Sequence, residues 1–62
     1  MDPTIVLPLE SPLLGQDGLR PAVALWCQER LTGGLRLLYT PSECLLVFTE
    51  LSDSLAFARR WM

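Results

Sequence analysis

The chain contains no histidine, no lysine and only two cysteines among its 62 residues. Each shortage closes off a class of function. A structural zinc site needs four ligands, almost always Cys or His, and Cys27 and Cys44 supply two. No metal and no cofactor is therefore expected. Lacking histidine, the chain also lacks the usual proton shuttle of neutral pH. Its five cations are all arginines, set among seven acids for a net charge of −2. That is too few and too scattered for sequence-independent binding to phosphates. The missing lysine suggests GC-rich coding and, with it, a bacterial or phage source. No apolar run approaches the ~18 residues a membrane helix requires, because Pro, Gly or a charge interrupts each one. Met1-Asp2-Pro3 has no basic stretch of the kind that opens an export signal, so a cytoplasmic location is expected, with both thiols reduced and buried as small apolar side chains.

Apolar side chains, by contrast, are abundant. Half of the residues are hydrophobic and only 19% are charged, below the roughly 25% of ordinary soluble domains. A chain this short forms one domain, residues 1–62, and buries only about 60% of the surface its unfolded form exposes. Small domains gain further stability from disulfides, metals or association. With the first two set aside, association remains.

Thr4 to Leu9 is β-branched and apolar and reads as a first strand, with Pro8 requiring a sheet edge or an early end. Residues 11–17 read as a loop whose Leu13 and Leu14 tuck under the domain. Asp17 is placed to cap a helix running from Gly18 to Leu31, with Pro21 in its first turn and Thr32-Gly33-Gly34 as its stop. Leu19, Ala22, Val23, Trp26 and Cys27 form the buried stripe of that helix, and Leu25 projects from its other side. Leu35–Thr40 and Cys44–Thr49, joined by Pro41-Ser42-Glu43, read as an antiparallel hairpin. Ser52-Asp53 is expected to cap a last helix, Ser54 to Met62, whose inner face carries Leu51, Leu55, Ala58, Trp61 and Met62, flanked by Phe57.

The expected fold is thus α+β in the order β-α-β-β-α, with a small antiparallel-containing sheet and two helices on one face. This order matches the first five elements of a ferredoxin-like domain, without its last strand. Ile5, Leu7, Leu9, Leu35, Leu37, Tyr39, Cys44, Leu46 and Phe48 are assigned to the helix-covered side. Val6, Leu38, Leu45 and Val47 then fall on the open side, where an antiparallel sheet is normally polar. An apolar open face marks an interface, and the missing strand leaves unpaired backbone for another chain.

The sequence offers little that could catalyse. Cys27 lies mid-helix on the apolar stripe, Cys44 lies beside Glu43, and Glu43 and Glu50 stand at opposite ends of one strand. Gly33-Gly34 precedes a strand, whereas a phosphate loop opens a helix. Arg59-Arg60-Trp61 is read as a solvated helix end with the indole docked on the core. The expectation is a non-enzymatic protein-binding accessory or regulatory protein, acting as a homodimer or as a minor subunit. Its contact residues would be Val6, Leu38, Leu45 and Val47, with Leu25 as an outlying member. The alternatives are a single-stranded RNA-binding module using Tyr39, Phe48 and Arg36, or a small phage or bacterial inhibitor.

Overall fold

The computed structural model describes residues 2–62. Its elements run β1 Thr4–Pro8, β2 Leu14–Gly15, β3 Gly18–Leu19, α1 Pro21–Arg30, β4 Leu35–Tyr39, β5 Glu43–Phe48 and α2 Leu51–Trp61. β5 is the middle strand. Its Cys44, Leu46 and Phe48 are fully buried, while Leu45 and Val47 between them stay half-covered. Period-two alternation places the first set on one face of a sheet and the second on the other.

β1 and β4 both pair antiparallel with β5, giving the order β1-β5-β4. β1 and β4 therefore run parallel to each other with β5 inserted between them, the split β-α-β arrangement of ferredoxin-like sheets. Pro41-Ser42 turns the β4–β5 hairpin, where Thr40 Oγ1 accepts from the Ser42 and Glu43 backbone N–H groups. Phe48 N–H donates to the Pro3 carbonyl at 2.9 Å, which fixes the phase of the β1–β5 ladder. Ile5 and Leu7 bond inward to β5; Thr4, Val6 and Pro8 turn their backbone groups to the free side. Pro8 thus sits where a missing N–H costs no ladder bond, and its carbonyl accepts from Ser11 N–H instead.

The core lies between one sheet face and the two helices. Leu7, Cys44, Leu46 and Phe48 meet Val23 and Cys27 of α1, Phe57 of α2, and Leu14. The aromatic side chains join the helices to each other and to the sheet: Trp26 meets Phe57 and Trp61 edge-on, each at 6.1 Å between centroids, and Phe57 meets Phe48 at 5.7 Å. Cys27 and Cys44 are both free and buried. No helix among the described residues is long and apolar enough to cross a membrane.

Several expectations are corrected. Residues 14–19 are not a loop running into a helix but a small antiparallel hairpin, with Leu14 opposite Leu19 and Gly15 opposite Gly18. Gly18 has φ of 120°, which a side chain would strain, and it closes the turn over Gln16-Asp17. Asp17 consequently caps nothing. α1 begins at Pro21, whose ring suits the first helical position, and Arg20 precedes it as cap without a side-chain bond. Gly33 and Gly34 stop α1 without a left-handed turn; a Cβ at Gly33 would lie 2.9 Å from Glu50 Cγ and 3.2 Å from Thr49 Cβ, so either side chain would have to give way.

α2 begins three residues before its expected start, at Leu51, and Ser52-Asp53 does not cap it. Asp53 instead reaches out of its own helix. Its carboxylate accepts from the N–H of Thr32 at 3.1 Å, the N–H of Gly33 at 2.7 Å and the hydroxyl of Thr32 at 3.1 Å. This grip turns Asp53, Ser54 and Phe57 inward and leaves Leu51, Leu55 and Met62 exposed, the reverse of their expected placement. Ala22 is also exposed. Leu9 and Tyr39 leave the expected core set as well: Leu9 lies beyond the end of β1, and Tyr39 ends an edge strand.

The Thr32 N–H, followed by the Gly33 N–H, holds the Asp53 carboxyl below the ordinary carboxylate range. A group depressed in the folded state stabilises the fold above its unfolded pKa, about 3.9, and loses that contribution as pH falls through its folded value. The thermal midpoint of Asp53→Asn is expected to lie below that of the wild type at pH 7, with the gap narrowing steadily once the pH drops below about 4. A gap that stays constant to strong acid would show that the carboxylate charge has no part in the clamp. Leu46→Ala, at the centre of the core, is expected to cost about 2–5 kcal/mol in denaturant unfolding.

Candidate functional site

The sheet face opposite the helices carries the candidate site. Val6 of β1, Leu45 of β5 and Leu38 of β4 are direct cross-strand partners and form one straight apolar row over all three strands. The adjacent row is Thr4, Val47 and Arg36. Directly opposed side chains in neighbouring strands touch, so each row is a contiguous strip. Val6 and Leu38 are 49% and 47% exposed, while Leu45 and Val47 in the middle strand are half-buried by their neighbours alone. None of the described residues covers this face; both helices and the β2–β3 hairpin contribute to the core on the other side.

Of the five residues singled out in the sequence, the structure brings Val6, Leu38, Leu45 and Val47 together. It leaves Leu25 apart. That leucine is 55% exposed on α1 and points away from the buried Val23 and Cys27 side, so it cannot join a contact made by the sheet face. Charges stand at its margins: Arg36 on β4 ends the second row, and Glu43 of the middle strand pairs with Pro8 beyond the first. No protein-family model matches the chain, and no curated protein or solved structure shows a significant similarity to it.

The two thiols are not part of this face. Burial pushes both the Cys27 and the Cys44 thiol above the ordinary range, which keeps them protonated and unreactive at neutral pH. The Arg59-Arg60-Trp61 cluster lies at the far end of α2. Arg60 stacks on the Trp61 ring at 4.1 Å, and that indole is itself packed against Trp26. Sequence reasoning missed a second uncovered strip, Leu51, Leu55 and Met62 on α2, each more than half exposed. Their spacing is that of one helix face, which reads equally as core or as contact until the position of Asp53 is known.

Replacing Leu45 with Glu tests whether the face is surface or hidden core. The expected loss of stability is on the order of 1 kcal/mol, the span of strand preferences, with the far-ultraviolet dichroism unchanged. A loss as large as that of Leu46→Ala would mean that the row is core.

Proposed function

We infer that the protein is a non-catalytic, cytoplasmic binding protein of accessory or regulatory type, whose contact surface is the open sheet face. One observation carries this reading: the Val6–Leu45–Leu38 row crosses the whole sheet with no polar residue in it and no element among the described residues above it. An antiparallel sheet with a wet face ordinarily alternates apolar and polar, and a contiguous apolar strip on a small domain marks a protein contact. The partner chemistry follows from the surface. A flat, nearly uncharged strip with one arginine and one glutamate at its margins suits an apolar protein surface with a polar rim.

The alternative of single-stranded RNA needs exposed rings beside cations on the sheet. Phe48 is fully buried, Tyr39 shares the Leu37 side of β4, and Arg36 is the only member of that trio on the open face. The inhibitor reading uses the same apolar strip and differs only in what the partner is.

The test is site-specific photo-crosslinking in cells. A photoreactive residue at Leu38 or Val6 is expected to give a discrete protein adduct, and one at Gln28 on the outer side of α1 is not. The Leu45→Glu/Val47→Glu double variant, folded by dichroism, should lose the Leu38 adduct. Adducts of equal yield from Gln28 and Leu38, or none from either open-face position, would sink the proposal.

A further inference from the structure

The open face is not the only unfinished part of the sheet. Thr4 and Val6 each turn a backbone N–H and a C=O away from β5 into the space beside β1, and no group of the described residues bonds to them there. Pro8, the next outward-facing residue, has no N–H and its carbonyl accepts from Ser11, so between Asp2 and Pro8 the exposed ladder consists of two donors and two acceptors, with Ile5 at its centre. At the start of β1 lies an open groove of about 580 Å³, lined by Asp2, Pro3, Thr4, Thr49 and Leu51. Leu51 leads from the groove into the uncovered strip of α2, with Leu55 one turn further on.

We propose that β1 pairs antiparallel with β1 of a second copy of this chain about a two-fold axis through Ile5, joining the two sheets edge to edge. The hydrogen-bonding groups set the register, and in that register the edge is complementary to itself. With Ile5 opposite Ile5, Thr4 of each copy faces Val6 of the other, and every exposed donor meets an acceptor: two bonds from each protomer, four in all. A slip that sets Val6 opposite Val6 puts Thr4 against Pro8, which has no N–H and whose carbonyl already accepts from Ser11. A slip the other way puts Val6 against Asp2, whose carbonyl accepts from the Thr4 hydroxyl and whose carboxylate would be drawn onto an apolar strip. The central register uses all four groups of each edge without drawing on Asp2 or Pro8. A closed two-fold pairing of this kind is the commonest form of homo-oligomer.

β4 also has an outward edge, at Leu35, Leu37 and Tyr39. It is guarded. Arg36 places a charge on that strand, and the β2–β3 hairpin stands against its side chains, with Gly18 3.5 Å, measured from the position its Cβ would take, from a methyl of Leu37 and 3.8 Å from the Tyr39 hydroxyl. Charges and covering loops are the usual means of blocking an edge. β1 carries no charge between Asp2 and Glu10 and has no cover. Edge pairing leaves the Val6–Leu45–Leu38 face of each copy uncovered, so the inference stands apart from the function proposed above.

The experiment is residue-resolved amide hydrogen exchange on the full chain, together with its solution mass by light scattering, over a hundredfold range of concentration. A dimer is expected at the upper end, with the Thr4 and Val6 amides becoming protected as it forms while Ile5 and Leu7 are protected throughout. Thr4→Pro removes a donor that the monomer does not use, and it is expected to weaken the dimer at least tenfold; Thr4→Val, which keeps the donor, should not. The Leu45→Glu/Val47→Glu variant should still dimerise. A monomer at every concentration overturns the proposal, as does protection that grows at Leu35, Leu37 and Tyr39 instead. So does a dimer that survives Thr4→Pro and is abolished by the Leu45→Glu/Val47→Glu pair, which would place the contact on the open faces. Should Thr4→Pro fail to fold, the exchange pattern of the wild type and of Thr4→Val decides.

Discussion

The carboxylate of Asp53 sets the geometry of this small domain. It is buried in the first turn of α2, yet its three hydrogen-bonding partners belong to Thr32 and Gly33, at the junction between α1 and β4. A buried charge needs such partners, and meeting that need fixes the rotation of α2 about its own axis. Phe57 then falls on Phe48 and Trp26, and the leucines at 51 and 55 are turned outward. A side chain at Gly33 would crowd Thr49 and Glu50 just before α2. The apolar stripe of α2 is thus rotated away from the core by a polar contact.

What could be read in the sequence and what could not divides along the range of the interactions involved. The β4–β5 hairpin was legible because Pro41-Ser42-Glu43 separates two apolar runs, and its alternation correctly sorted Cys44, Leu46 and Phe48 from Leu45 and Val47. The order β1-β5-β4 agrees with the ferredoxin-like expectation. The β2–β3 hairpin was hidden because two-residue strands have no periodicity; its one local signal is the pair of glycines, Gly15 and Gly18, bracketing two polar residues. The rotation of α2 could not be read at all, since it depends on a bond between residues 21 positions apart. The candidate contact followed the same rule. Four of its five members come from strand alternation and lie together, whereas Leu25 was judged from a helix whose packing partners were unknown.

The two incomplete features of the sheet have one origin. A three-stranded sheet with both helices on one side leaves an apolar face and an apolar strand edge, and the described residues cover neither. Larger domains close such features with a further strand or a third layer. Here both stay open among the described residues, which removes buried area that would otherwise stabilise so small a fold.

The insertion of β5 between β1 and β4 also orders the assembly of the sheet in time. β4 meets β5 across a turn of a few residues, whereas β1 must find β5 across nearly the whole intervening chain, from Pro8 to Glu43. By loop length alone the second closure costs about 2 kcal/mol more in chain entropy than the first. The hairpin is the local nucleus, and β1 is the strand that waits. Until it docks, Ile5, Val6 and Leu7 are an unpaired β-prone segment with both edges open, and Pro3 and Pro8 on either side keep that segment too short to template a growing stack of chains.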